Sequence, residues 1–300
     1  MQTTIDFKKE YKEEVIKDIN KSIKKLAKLN VDGFIGWIGG KKKVAKQLIS
    51  IFPKHDIYIE PFMGSAAIFF TKKKAKINII NDIDNNLVNL FEVVKGDKQE
   101  FNNFMFILFN IIKSEQWLKD NIKLMETKEW TSLPNYTRAA IYFAINIYSF
   151  NNDLEIKRMA VNKSDIKKQT FQQLIRCRKK LEGTIIYNKS YREIVNKFCK
   201  KENVLFFFDP PYVVADDGSY YKFVFNELDH RILKEYCDKI HRNNNYFVIT
   251  YDNVSFIREL YKDYNIFEME YTYTSMKGNN KKVIEIVITN YNKYSQMELF

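Results

Sequence analysis

Apolar residues in this chain fall into short runs that alternate with stretches of helical periodicity. Ile57-Tyr58-Ile59 reads as a strand, 65–74 as a helix, Ile77-Asn78-Ile79-Ile80 as a second strand and 84–95 as a second helix. Strand, helix, strand, helix is the order of parallel strands joined by crossover helices. From 98 to 183 the pattern turns helical throughout. Strand runs return at 184–187, 204–208 and 246–251, separated by helical patterns at 191–200 and 227–242. Two last runs, 266–272 and 283–289, flank Lys277-Gly278-Asn279-Asn280 and are expected to close as a hairpin. Ahead of all this, 5–29 places Val15, Ile19, Ile23 and Leu26 on one helical face, which predicts a packing extension. The expected organisation is one α/β sheet domain (33–97 and 184–291) interrupted by a helical insertion (98–183). An extension (1–32) precedes it and a short tail (292–300) follows.

Composition narrows the class. Three hundred residues, 45% hydrophobic and 15% aromatic, can bury a large core without disulfides or a structural metal. Cys177, Cys199 and Cys237 lack metal-ligand spacing, and His55, His230 and His241 form no cluster, so no metal is expected. No apolar stretch approaches the roughly 18 residues of a membrane span, and the polar N-terminus does not read as a signal peptide. The expectation is a reduced, soluble, cytoplasmic protein. Net charge is +12. Much of it sits in 157–180, where Lys157, Arg158, Lys163, Lys167, Lys168, Arg176, Arg178, Lys179 and Lys180 face one acid, Asp165. That window is expected to contact nucleic-acid phosphates.

Glycine and proline are scarce and clustered, which singles out three segments. The strongest is the apolar run 204–208 followed by Asp209-Pro210-Pro211-Tyr212. An acid at the carboxyl end of a strand stands where open α/β sheets bind ligands. The prolines remove two N–H donors and stiffen the turn. Such a turn suits methylation of an exocyclic amine, whose lone pair is delocalised into its ring. A carboxylate and a backbone carbonyl accepting the two amine hydrogens would draw the nitrogen toward tetrahedral geometry, by orientation and preorganised electrostatics. Tyr212 would stack on a base that has left the helix. The second segment is Glu60-Pro61-Phe62-Met63-Gly64-Ser65-Ala66, a strand passing through a tight turn into a helix, with Asp82 18 residues beyond Gly64. An acid there can take the ribose hydroxyls of a nucleoside cofactor. The third is 33–40, which holds four of the nine glycines together with Trp37 and leads into Lys41. Gly39-Gly40-Lys41 before a helix can offer N–H groups to an anion such as a carboxylate.

Taken in order, Gly36-Trp37-Ile38-Gly39-Gly40-Lys41, Glu60-Pro61-Phe62-Met63-Gly64-Ser65-Ala66, Asn81-Asp82-Ile83-Asp84 and Asp209-Pro210-Pro211-Tyr212 resemble the Dam-type (D12 class) adenine-N6 DNA methyltransferases. The 273–283 turn, rich in Ser, Gly, Asn and Lys, extends the similarity. The resemblance implies a Rossmann-like, S-adenosylmethionine-dependent methyltransferase sheet with a helical target-recognition insertion. It implies cofactor binding by Trp37, Gly39, Gly40, Lys41, Phe62, Gly64, Ser65, Asp82 and Asp209. It implies catalysis by Asp209, Pro210 and Tyr212, and methylation of adenine in a specific short sequence of double-stranded DNA. Ala66 stands where many relatives carry glycine. Asn146-Ile147-Tyr148-Ser149-Phe150-Asn151 resembles the start of the family's recognition segment, without the Asn-Val-Pro-Phe-Gly that follows in GATC-specific relatives. The tail residues Gln296, Leu299 and Phe300 resemble a peptide that docks on the replication sliding clamp. Alternatives are an RNA base methyltransferase, cytosine-N4 methylation, and a non-catalytic DNA-binding protein tethered to that clamp.

Overall fold

The apolar runs assemble into one seven-stranded sheet. Its strands are β1 (Ile57–Glu60), β2 (Ile77–Asn81), β3 (Ile185–Tyr187), β4 (Val204–Phe208), β5 (Tyr246–Asp252), β6 (Asn265–Thr274) and β7 (Asn280–Thr289). They lie side by side in the order β3-β2-β1-β4-β5-β7-β6. β1 to β5 pair in parallel, and β7 runs antiparallel to both β5 and β6. The expected crossovers and the closing hairpin are both present. This computed structural model describes residues 31, 33–37, 39–111, 114–148, 166–213, 225–274 and 280–292, the side chains of 271–274 and 280–281 excepted. The predicted 5–29 extension, the 157–165 part of the basic window and the tail residues Gln296, Leu299 and Phe300 lie outside these residues.

A 3₁₀ turn (Lys41–Lys43) opens α1 (Ala45–Ile49), and α2 (Ala67–Thr71) and α3 (Asn85–Lys95) follow. The insertion supplies α4 (Lys98–Asn110), α5 (Glu115–Met125), α6 (Lys128–Ser132), α7 (Asn135–Tyr148) and α8 (Lys168–Leu181). α9 (Tyr191–Phe198), α10 (Glu227–Arg242) and α11 (Ser255–Leu260) complete the helices among the described residues. The sequence pattern predicts no helix at α11, because six residues are too few to display a period.

Strand alternation sends side chains to two cores. Tyr58, Ile80, Leu205, Phe207 and Val248 join Leu90 and Phe91 of α3, Phe143 of α7 and Leu174 of α8. Ile59, Ile79, Phe206, Phe208 and Ile249 join Ile194 of α9, Leu233 of α10 and Ile257 of α11. β4 is buried at all five positions, which is why it reads as an unbroken apolar run rather than an alternating one. The insertion helices α7 and α8 thus share a core with one face of the sheet.

Helix starts are fixed by side chains. Asp84 accepts from the Asn86 N–H at 2.9 Å to begin α3. Ser190 with Glu193 and Asn226 with Asp229 form capping boxes on α9 and α10. The predicted 65–74 helix is shorter at both ends. Ala66 sits in the left-handed region at φ 52°, and Lys72 leaves in an extended conformation. An L-residue bears a cost of about 1–2 kcal/mol at such a φ.

β1 leads outward to β2 and β3, whereas β4 leads the other way to β5. Their carboxyl ends therefore border the crevice of a topological switch point. No helix among the described residues is long and apolar enough to cross a membrane.

Candidate active site

The three segments singled out by sequence meet at that crevice. They line one cavity of about 620 Å³ with Trp37, Lys41, Phe62, Gly64, Asp82 and Asp209 among its walls. Gly39, Gly40, Ser65, Pro210 and Tyr212 line it too. Every cofactor-binding and catalytic candidate from the sequence is thus in one place.

The wall from β1 is a turn closed on its neighbour strand. Gly64 donates its N–H to Asp82 Oδ2 at 3.0 Å, and the Asp84 N–H donates to Asp82 Oδ1 at 3.0 Å. Gly64 has φ 44°, and a Cβ there would lie 2.8 Å from atoms of the Trp37 ring. No side chain fits between the turn and the indole. Asp82 lies on the cavity floor, where burial outweighs its backbone donors and pushes its carboxyl up to about 6. Beneath it, Glu60 Oε2 accepts from the Tyr58 hydroxyl at 2.9 Å and the Phe69 N–H at 3.2 Å. Burial pushes Glu60 up to about 8.

The facing wall comes from β4 and centres on an ion pair. Lys41 Nζ, almost wholly buried, lies 2.8 Å from Asp209 Oδ1 and 3.8 Å from Glu285 Oε1. It also donates to the Gly39 carbonyl at 2.9 Å and sits 4.8 Å from the Tyr212 ring centroid. Asp209 Oδ1 further accepts from Thr250 Oγ1 at 2.7 Å and the Tyr212 hydroxyl at 3.4 Å. All these contacts to Asp209 fall on Oδ1.

Other residues of the site take roles that the sequence motifs do not assign. Asn81, fully buried, donates through Nδ2 to the carbonyls of Pro61 (2.8 Å) and Lys189 (2.9 Å). Its Oδ1 accepts from the Lys189 N–H at 3.0 Å. It thereby pins the β1 turn and the entry to α9 onto the end of β2. Beside them Phe62 packs against Tyr191 (5.2 Å between centroids) and Phe225 (5.9 Å). Arg192 pairs with Asp229 at 3.1 Å. The sequence signal nearest to these residues is Ser190-x-x-Glu193, a capping-box pattern that marks a helix start at the cavity rim.

The structure divides the basic window. α8 precedes β3, which runs parallel to β2, so α8 descends from the cavity end of the sheet to the opposite end. Lys167 and Lys168 stand exposed at its start. Arg178, 4.7 Å over the Phe101 ring, donates to the carbonyls of Val94 and Asp97. Lys180 donates to the Lys72 carbonyl at 2.6 Å, and Arg176 reaches Gln173. Lys179 is exposed, at the far end. The six described residues of the window do not form one surface. Arg178 and Lys180 donate to backbone carbonyls at the end of the sheet opposite the cavity.

Comparison with known proteins gives this architecture a family. A type II methyltransferase, M.MjaIII of Methanocaldococcus jannaschii, is 26% identical, covering 88% of this chain and 100% of its own. A second type II methyltransferase, M1.LlaDCHI of Lactococcus lactis subsp. cremoris, is 24% identical over 88% and 97%. The DNA adenine methylase of Salmonella typhi is 23% identical over 85% and 93%. Residues 37–275 match the family model of the D12 class N6 adenine-specific DNA methyltransferases. The residues that line the cavity all fall inside that span, and the chain belongs to this family of adenine-specific DNA methyltransferases.

Proposed function

We propose that the protein transfers a methyl group from S-adenosylmethionine to N6 of adenine in double-stranded DNA, within a specific short sequence, at the Asp209-Pro210-Pro211-Tyr212 turn. The observation that carries this reading is the Lys41–Asp209 pair at 2.8 Å. It joins the glycine segment to the β4 turn, across the cavity from Asp82.

The residues present fit the cofactor. A cavity of about 620 Å³ is of the size that holds a nucleoside with an amino-acid tail. Asp82 supplies an acceptor for two ribose hydroxyls, and the turn at Gly64 keeps side chains out of the way. Lys41 offers a cation to a carboxylate, and Gly39 and Gly40 let that group approach the backbone. Trp37, Phe62 and Ser65 complete the walls. When bound, S-adenosylmethionine supplies an electrophilic methyl group on a sulfonium.

The chain's own residues prepare the amine. Oδ1 of Asp209 is held by Lys41, Thr250 and Tyr212, which fixes the carboxylate plane and turns Oδ2 to the amine. Oδ2 accepts one N6 hydrogen and the Pro210 carbonyl accepts the other, so the nitrogen lone pair leaves the ring system. The Tyr212 ring stacks on the base, which is extruded from the duplex to reach it. Lys167 and Lys168 are the described basic residues best placed for phosphates on the cavity side.

The test is to incubate the protein with duplex DNA of varied sequence and methyl-labelled cofactor, then digest to nucleosides. Label in N6-methyladenine supports the reading. Folded protein that leaves no label in adenine overturns it, and parallel RNA substrates separate the RNA alternative.

A further inference from the structure

Helix α7 touches both walls of the cavity through two side chains one turn apart. Tyr142 and Asn146 lie at i and i+4, so they share a face, and both are almost fully buried. The Tyr142 hydroxyl donates to Asp84 Oδ2 at 3.3 Å. Asn146 Nδ2 donates to the Gly36 carbonyl at 3.1 Å.

Each bond begins a short chain of contacts, and both chains end on Gly64. From Tyr142 the path runs to Asp84, whose N–H binds Asp82 Oδ1, and from Asp82 Oδ2 to the Gly64 N–H. From Asn146 it runs to Gly36, the neighbour of Trp37, whose ring would lie 2.8 Å from a Cβ at Gly64. The second path continues from the Trp37 carbonyl to the Gly40 N–H at 3.1 Å and on to Lys41. Breaking the Asn146 bond leaves the cavity lining in place, and loss of the Tyr142 hydroxyl removes one atom from that lining, but either change frees a segment that has to be ordered again when ligand binds. Reordering lowers affinity rather than the rate of the bound complex.

We infer that Tyr142 and Asn146 are positioning residues that set the affinity for the cofactor, acting through Asp84 and Gly36 from a helix of the insertion. The inference rests on the cofactor reading above. It also gives α7 a task beyond packing. The helix ends at Tyr148, where the sequence that resembles the recognition segment continues, so the chain that reads DNA is clamped to the walls that hold the cofactor.

The experiment titrates S-adenosylmethionine by calorimetry into the full chain and into Tyr142→Phe and Asn146→Ala, with thermal unfolding and kinetics alongside. Tyr142→Phe keeps the ring and removes only the hydroxyl, so its fold is retained. Each variant should weaken binding about 3–10-fold, the worth of one net hydrogen bond. KM for the cofactor should rise by the same factor, while kcat at saturating cofactor stays within about twofold. Because both paths meet at Gly64, the double variant should lose less than the product of the two single losses. Affinity within twofold of wild type in both single variants overturns the inference, as does a fall in kcat with affinity unchanged. A double variant that loses the full product removes the meeting point at Gly64. If wild-type protein itself binds no S-adenosylmethionine, the cofactor reading fails instead.

Discussion

The two ends of the sheet are built from similar polar residues put to opposite uses. At the carboxyl end, Asp82 and Asp209 present carboxylates to a cavity, and Asp82 is displaced from its ordinary pKa by burial. At the amino end the polar groups are closed on the protein's own backbone. Asn245 donates to the carbonyls of Cys199 and Lys201 and accepts from the Val204 N–H. Arg178 and Lys180 bind carbonyls near the ends of α3 and α2. Lys72 sits there with its ammonium pushed down to about 8 by burial and by the nearby charge of Lys180. A polar side chain whose hydrogen bonds all go to its own backbone stabilises, whereas one aimed into a cavity bears a desolvation cost and is available to a ligand.

Substitution at each end should therefore show up in different measurements. The largest effect is expected from Asp209→Asn, which removes the charge opposite Lys41. kcat should fall about 10²–10³-fold with duplex affinity largely retained in a gel-shift titration; undiminished turnover would erase the distinction between the ends. Next comes pH. The Asp82 carboxyl, raised to about 6, is charged above that value and protonated below it. A protonated carboxyl is a poorer acceptor for ribose hydroxyls, so kcat/KM for the cofactor should fall up to tenfold per pH unit below about 6. Asp82→Asn should flatten that limb. The smallest effect belongs to the amino end. Arg178→Ala and Lys180→Ala should each lower unfolding stability by about 0.5–1.5 kcal/mol in a denaturant titration. They should leave the salt dependence of duplex binding unchanged. Lys167→Ala with Lys168→Ala should reduce that slope by about one for each phosphate left without its lysine.

Much of this was legible in the sequence because the site is built from strand ends. A run such as 204–208 identifies a buried central strand, and the residue after it must stand at the sheet's edge. Asp209 and the Pro61–Gly64 turn could therefore be placed from local pattern alone. The role of Asn81 could not. It ends its strand just ahead of Asp82, and its partner Lys189 lies 108 residues away, a pairing that no periodicity encodes. Tyr191 and Phe225 belong to the cavity for the same reason, brought beside Phe62 only by the fold. The basic window has its described residues spread along a helix, because a charge count carries no direction. Along α8, Lys168 and Lys180 are roughly 18 Å apart at 1.5 Å per residue, enough to put them at opposite ends of the sheet.

The attachment of the insertion bears on how its sequence can vary. α7 is tied to Gly36 and Asp84, and α8 is tied through Gln173 to the Gly33 carbonyl at 2.8 Å. Both helices are thus anchored on the catalytic half, whatever chain is strung between them. Doubling the length of such a connection costs only about 0.6 kcal/mol of closure entropy. A change of length or sequence in that stretch therefore leaves both attachments, and the cavity walls they hold, in place.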